Sequence, residues 1–323
     1  MDRARTLLRL AAAGIPIQVT DNDPALEELL GVELSGLLKT NIRDADPLTR
    51  ELHSIRARRI AHRDHSHDGR IRQIYRTANL DPPQRSSVSI LLATNRPESV
   101  RWALGNVDKQ NYPQLEVVLA LHGDGFNGSE IKDATAQLSC PVEVICVSSQ
   151  HPLAVVLDAA SQAASGTILT KMDDDDLYDA DHILDLVLAR EYSGAHLVGK
   201  GAEVVYLQQR DQTVERHSSQ TERYSTAIAG GTLMISRDDL VSIGGWGVAP
   251  RRVDKILIDN VVRHGGVVYR THGRGYVVIR HGGGHTWNVP DPYFLDQTAS
   301  VHAGWQASLG GFDVSSRAPI HIA

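Results

Sequence analysis

The chain has 323 residues, enough for one large domain or two modest ones at roughly 100–200 residues each. Hydrophobic residues make up 41% and charged residues 22%, an ordinary globular balance that excludes disorder along most of the chain. A net charge of −6 disfavours a general nucleic-acid binder, and no apolar run approaches the ~20 residues needed to span a bilayer. The only cysteines are Cys140 and Cys146, which excludes a disulfide framework and a zinc site built mainly from thiolates. Such usage fits a reducing compartment, so a cytoplasmic protein is expected.

The chain opens with a helical pattern of Leu7, Leu8, Leu10 and Ala11. Asp2 and Arg9 interrupt what would otherwise imitate a signal peptide. Ile15–Val19 is a short apolar segment with the look of a strand. Asp23-Pro24 predicts the start of a second helix through Leu30, with Pro24 suited to the first turn. Residues 47–77 are polar, rich in Arg and His, and expected to be helical. Residues 81–87, Asp-Pro-Pro-Gln-Arg-Ser-Ser, read as a linker.

From Val88 the pattern alternates between strand and helix. Strands are expected at Val88–Thr94, Leu115–Leu121, Val142–Val147 and Thr167–Met172, with helices from Pro97, Pro152 and Asp181. Val/Ile/Leu-rich strands separated by helix-length segments imply βαβ units and a mainly parallel sheet. Ligands in such sheets bind at the carboxyl ends of the strands. That directs attention to Asn95–Glu98, His122–Gly128 and Asp173–Tyr178.

Asp173-Asp174-Asp175-Asp176 follows the fourth strand directly. Four adjacent carboxylates repel one another, and a hard divalent cation is one reason for a fold to hold them together. Side chains alternate along extended backbone, so Asp173 and Asp175 are expected to face the same way. The bland alternative is a solvated acidic turn.

Taken together, Val88–Arg96, Leu115–Leu121 and Ala164–Tyr178 resemble a glycosyltransferase family 2 domain of GT-A fold. Gly230-Gly231 through Arg237, Gly244-Gly245-Trp246, Val253-Asp254 before Arg263-His264-Gly265, and Arg280-His281 extend the likeness to about Trp287. The resemblance implies an α/β fold with a mainly parallel sheet and transfer of a sugar from a nucleotide-diphosphate donor to an acceptor hydroxyl. Three regions are then expected: a mostly helical extension at 1–85, the GT-A domain at 86–290, and a tail at 291–323.

The resemblance also implies site residues. Asp173 and Asp175 match an Asp-x-Asp motif, the first at ribose or metal, the second at a metal, Mn²⁺ or Mg²⁺. Thr94, Asn95, Arg96, His122, Asp124, Asp173, Asp174 and Gly231 are the expected donor contacts. Asp254 matches the aspartate that takes the acceptor proton in an inverting transfer. The residue before it is Val253, where the family has a second acid, so retention stays open.

His281 and His285, separated by three glycines, are candidates to complete the metal site. Trp246 and Trp287 could stack on sugar faces, with core packing the equal alternative. The donor could carry UDP, GDP or dTDP, because the second strand ends in His122-Gly123-Asp124 rather than in the family's aspartates. The acceptor is not legible. Residues 1–85 are similar to the tail of a group-1-type GT-B glycosyltransferase and are expected to pack on the GT-A domain, to mediate homo-oligomerisation, or to be the remnant of a longer two-enzyme polypeptide. Two other classes fit the same residues: a non-catalytic sugar-nucleotide or carbohydrate-binding module, and a metal-dependent phosphohydrolase.

Overall fold

The computed structural model describes residues 2–216, 221–248, 252–281, 291–296, 298–313 and 315. The chain forms two compact units, Met1–Gln84 and Arg85–Ala323. Among the described residues no helix is long and apolar enough to cross a membrane.

The first unit contains four helices: α1 (Asp2–Ala12), α2 (Pro24–Leu38), α3 (Pro47–His65) and α4 (His67–Thr77). Asp23 caps α2 by accepting from Ala25 N, and Asp46 caps α3 by accepting from Thr49 N. Leu7, Ala11, Leu26, Leu30, Leu34, Leu38, Ala57 and Ile60 bury one common core. The histidines of α3 are structural. His53, His62 and His65 lie 3.0, 3.2 and 2.9 Å from the carbonyls of Leu37, Ala12 and Leu30, which only an imidazole N–H can satisfy.

Three expectations for this unit are corrected. Ile15–Val19 is not a strand: Pro16 has no N–H to offer, and Val19 N donates to Leu38 O at a helix end instead. The second helix breaks after Leu30 as expected, at a kink where Gly31 takes φ +76°, but an unexpected further helical segment continues α2 to Leu38. Residues 47–77 are two helices, broken where Ser66 takes extended backbone and its side chain accepts from Gly69 N.

The second unit is the α/β domain the sequence predicts. Its first half runs β1 (Val88–Thr94), α5 (Val100–Asp108), β2 (Leu115–His122), α6 (Gly128–Thr135), β3 (Val142–Val147), α7 (Leu153–Ala163), β4 (Ile168–Met172) and β5 (Leu177–Tyr178). Then come α8 (His182–Ser193), β6 (Leu197–Gly199), β7 (Val204–Leu207), β8 (Gln212–Arg216), β9 (Arg223–Tyr224), β10 (Met234–Ser236) and α9 (Arg237–Ser242). It ends with α10 (Val253–Arg263), β11 (Val268–Arg270), β12 (Tyr276–Arg280), α11 (Pro292–Leu295) and β13 (Thr298–Ala303).

The larger sheet has the order β3-β2-β1-β4-β10-β6-β11-β9. Its first four strands are parallel, and β10 runs antiparallel between β4 and β6. β1 is buried along nearly its whole length, as an apolar strand covered on both faces must be. Two apolar clusters cover it, one centred on Ile90, Leu119 and Met234, the other on Leu91, Val118, Leu157 and Trp246.

A second sheet has the order β13-β8-β7-β12-β5. The segment after residue 290 therefore contributes to the fold, because β13 pairs antiparallel with β8. β5 pairs with β12 immediately after the acidic run, so the chain at 173–176 spans from one sheet to the other.

Candidate active site

The parallel register places the carboxyl ends of β1 and β4 side by side, with Leu92 opposite Met172. Thr94-Asn95-Arg96 and Asp173–Asp176 thus emerge together. The acidic run alternates: Asp174 and Asp176 are buried, while Asp173 and Asp175 are half-buried. Burial alternates as a period of two would have it, but the run is bent rather than extended, and Asp173 and Asp175 take different partners, so the expected common orientation does not follow.

The two buried carboxylates brace the run from beneath. Asp174 accepts from Thr94 Oγ1 at 2.5 Å and is clamped by the Arg96 guanidinium. Burial pushes the Asp174 carboxyl upward, and Arg96 pulls it back. Burial works against the charge of Arg96 as well, but Asp174 and Asp175 outweigh it. Asp176 accepts from Tyr276 Oη at 2.6 Å and from Ile279 N at 3.1 Å, which ties the run to β12. Asn106 Nδ2 donates to Asp176 O at 3.1 Å, tying it to α5 as well. Burial, reinforced by Asp175 and Asp173, holds the Asp176 carboxyl well above the usual range.

The anchor on β12 brings His281 to the acidic run. Its Nε2 lies 3.3 Å from Asp175 Oδ2 and 3.0 Å from Arg96 Nη1. That nitrogen donates to Asp175 in one tautomer or accepts from Arg96 in the other, not both at once. Arg96 Nη2 is 2.9 Å from Asp175 Oδ2. Thr94, Arg96, Asp174, Asp175 and His281 therefore form one cluster.

Among the described residues no three or more His, Cys, Asp or Glu side chains converge to hold a metal alone. Asp175 and His281 do present an oxygen and a nitrogen donor side by side. Mg²⁺ often uses only one or two carboxylates plus phosphate oxygens, and imidazole suits Mn²⁺. The pair fits a cation that the substrate helps to hold.

Asp173 takes a separate set of partners. Its Oδ1 is ion-paired with the ammonium of Lys171, which lies 3.5 Å from Asp254 Oδ1 and donates to Gly230 O at 3.2 Å. Burial pushes the Asp173 carboxyl up to about 6; Lys171 draws it down, and Asp254 and Asp175 push it up. Asp254 stands in the first turn of α10 with its side chain 38% exposed.

Two glycines make room for these carboxylates. A Cβ on Gly230 would sit 2.1 Å from Asp254 Oδ2, and one on Gly231 would sit 2.7 Å from Asp173 Oδ2. Gly231 O accepts from Tyr178 Oη, which in turn accepts from Asp173 N. Gly231 therefore adjoins Asp173 through its backbone and its missing side chain.

The remaining expected positions are placed less centrally. Asn95 and Asp124 are exposed at the ends of β1 and β2. His122 is half-buried, with Nε2 2.9 Å from His151 O, so its outward N–H is committed to the loop after β3. His285 and Trp287 lie outside the described residues.

Trp246 is corrected. It is 1% exposed, packed in the core against α7, with Nε1 donating to Ser161 Oγ at 2.9 Å and N donating to Asp158 Oδ1 at 3.0 Å. Its ring offers no face to a sugar. Replacing Trp246 with Ala should cost roughly 3–5 kcal/mol of stability, read by urea unfolding, with nucleotide binding by the folded fraction retained. A loss of binding without a loss of stability would return the ring to the site.

Sequence reasoning missed Lys171. The signal was a lone lysine inside the otherwise apolar strand Ile-Leu-Thr-Lys-Met, where a buried cation needs a partner. It also missed Tyr276 and Asp176 as the struts between the sheets.

No protein-family model matches the chain, and no curated protein sequence matches it. Solved structures share its fold. TarS residues 1–349 from S. aureus, solved with UDP-GlcNAc, align with a TM-score of 0.51 at 12% identity. That alignment covers 63% of this chain and 61% of the TarS chain, so the likeness spans less than two thirds of that protein. The mannosyltransferase PcManGT from Pyrobaculum calidifontis, solved with GDP-Man and Mn²⁺, aligns with a TM-score of 0.51 at 16% identity, covering 91% of this chain and 73% of its own. The fold is thus a mixed α/β fold of the kind these glycosyltransferases have.

Proposed function

We propose that the Arg85–Ala323 unit is a glycosyltransferase domain that moves a sugar from a nucleotide-diphosphate donor to an acceptor hydroxyl. One observation carries the reading: the carboxylates that follow β4 take partners from distant elements, Asp175 beside His281 and Arg96, and Asp173 sharing the Lys171 ammonium with Asp254 of α10. A solvated acidic turn would not be braced from beneath by Thr94, Arg96, Tyr276 and the Ile279 amide.

The chemistry follows from that division. Asp254 accepts the proton of the acceptor hydroxyl as its oxygen attacks the anomeric carbon. The bond from that carbon to the diphosphate oxygen breaks, and its electron pair leaves with the nucleotide. Positive charge builds on the sugar ring as the bond opens, as in glycoside hydrolysis. Arg96 faces the growing negative charge on the diphosphate, in a partly buried site where a fixed cation acts strongly. Direct attack of this kind inverts the anomeric centre. Asp175 and His281 would hold Mn²⁺ or Mg²⁺, which when bound supplies further counter-charge to the diphosphate. In this reading Asp173 contacts the ribose. TarS and PcManGT were solved with UDP-GlcNAc and GDP-Man, which makes those the first donors to try.

The test is a thermal-shift panel of UDP, GDP and dTDP with and without Mn²⁺. A ligand that binds only the folded protein raises the melting point by mass action. One nucleotide is expected to raise it, more strongly with the metal, and Asp175→Ala is expected to remove the metal-dependent part. An unchanged shift in that variant takes Asp175 out of the site. Binding with no turnover of UDP-GlcNAc or GDP-mannose would favour the non-catalytic module.

A further inference from the structure

The Lys171 ammonium is buried near the end of an apolar strand, with the residue 4% exposed. Three oxygen groups surround it: Asp173 and Gly230 O at 3.2 Å accept from it, and Asp254 Oδ1 at 3.5 Å is an ion-pair partner. Asp254 Oδ1 is itself buried and accepts no hydrogen bond among the described residues. On the far side, Asp254 Oδ2 lies against the space left by the missing side chain of Gly230. One oxygen of Asp254 is thus fixed by charge and the other by shape.

We propose that Lys171 is a positioning residue for the transfer reaction: its ammonium holds the Asp254 carboxylate at a set distance from the donor-side carboxylate Asp173. This rests on the proposed function. The physical reason is that Asp254 projects from the first turn of a helix and its Oδ1 accepts no hydrogen bond among the described residues, leaving the Lys171 charge to hold it. Without a cation, Asp173 and Asp254 would repel each other, and the base would swing away from the acceptor. Misplacing a reacting group by about 1 Å can cost on the order of 10²-fold in rate. A buried ammonium shared by two carboxylates and a carbonyl also satisfies the rule that buried charges are paired. The arrangement gives Lys171 no contact of its own with the acceptor; it acts through Asp254.

The experiment uses the full chain and measures release of UDP or GDP from UDP-GlcNAc or GDP-mannose, with kcat and KM separated. Lys171→Met is expected to lower kcat at least about tenfold while the donor KM stays within about threefold. Adding Asp254→Asn to Lys171→Met is expected to cost far less than Asp254→Asn costs alone, because the two residues act as one unit. Lys171→Arg, which keeps a cation, is expected to recover part of the lost kcat. Circular dichroism and melting temperature check the fold, and Lys171→Gln replaces the Met variant should the latter fail to fold. A kcat unchanged by loss of the ammonium, or losses from Lys171 and Asp254 that simply multiply, overturns the proposal while the reading of the function stands. A wild type that turns over neither donor, with Asp254→Asn indistinguishable from it, overturns both.

Discussion

Replacing Asp254 with Asn is expected to lower donor turnover by on the order of 10²–10⁴-fold while nucleotide affinity stays within about threefold. The substitution preserves shape and removes only the capacity to take a proton. Asp254 is suited to that capacity by position. It stands in the first turn of α10, where its charge also meets the positive end of the helix, and its side chain is 38% exposed, open to a hydroxyl from outside. Nucleotide binding should survive because the cluster of Thr94, Arg96, Asp174, Asp175 and His281 is built from other elements. Asp259, the nearest other acid on the helix, pairs with Lys255 at 2.6 Å on the exposed face and cannot substitute. Its replacement by Asn should leave turnover unchanged, which makes it the control. Equal loss in nucleotide binding and in turnover would assign Asp254 to the donor rather than to the proton.

The second large effect is expected from a methyl group. Gly230→Ala places a Cβ 2.1 Å from Asp254 Oδ2, far inside contact distance. The carboxylate must rotate away, because Gly230 opens a 3-10 turn and its carbonyl is held by Lys171. Displacement of a base by about 1 Å predicts a loss on the order of 10²-fold in kcat, with melting temperature changed little, since the clashing atom is the end of a side chain that can move. Steady-state kinetics and a melting curve on the same preparation separate these. The neighbouring change, Gly231→Ala, crowds Asp173 and the Tyr178 hydroxyl at 2.7 and 2.8 Å, and is expected to weaken nucleotide binding instead. The pair of glycines therefore distinguishes the roles of Asp254 and Asp173. If both variants lowered only stability, the glycines would serve packing rather than the carboxylates.

The α/β half of the fold was legible because its strands carry long apolar runs with one unambiguous period. Val88–Thr94 and Val142–Val147 appear with their expected bounds, since both are flanked by polar or Pro-containing breaks. The helical half was less legible, and each miss has a local cause. Ser66 separates α3 from α4 by capping α4, its side chain accepting from Gly69 N, a local choice that composition alone does not force. Gly31 would ordinarily end a helix, yet Leu30, Leu34 and Leu38 share one core face and carry the helix beyond it.

The candidate site was legible where chemistry is crowded into a few residues. Four aspartates after a strand could not be overlooked, and the period of two assigned them to two faces. The site was illegible where the partners come from distant strands. Nothing near Asp176 in sequence reveals that Tyr276 and the Ile279 amide hold it, or that this anchor carries His281 to Asp175. Trp246 illustrates the opposite error. A tryptophan after two glycines can present a ring to a sugar, but α7 offered Ser161 and Asp158 as partners, and the ring went inward.

The most direct measurement is a crystal structure of the protein with Mn²⁺ and whichever of UDP, GDP or dTDP raises its melting point most. We expect the diphosphate beside Arg96, with the cation between it, Asp175 and His281, the ribose near Asp173, and Asp254 across an open space from the terminal phosphate. A nucleotide bound elsewhere, with Asp173 and Asp175 left in solvent and Asp254 outside the cleft, would contradict the assignment.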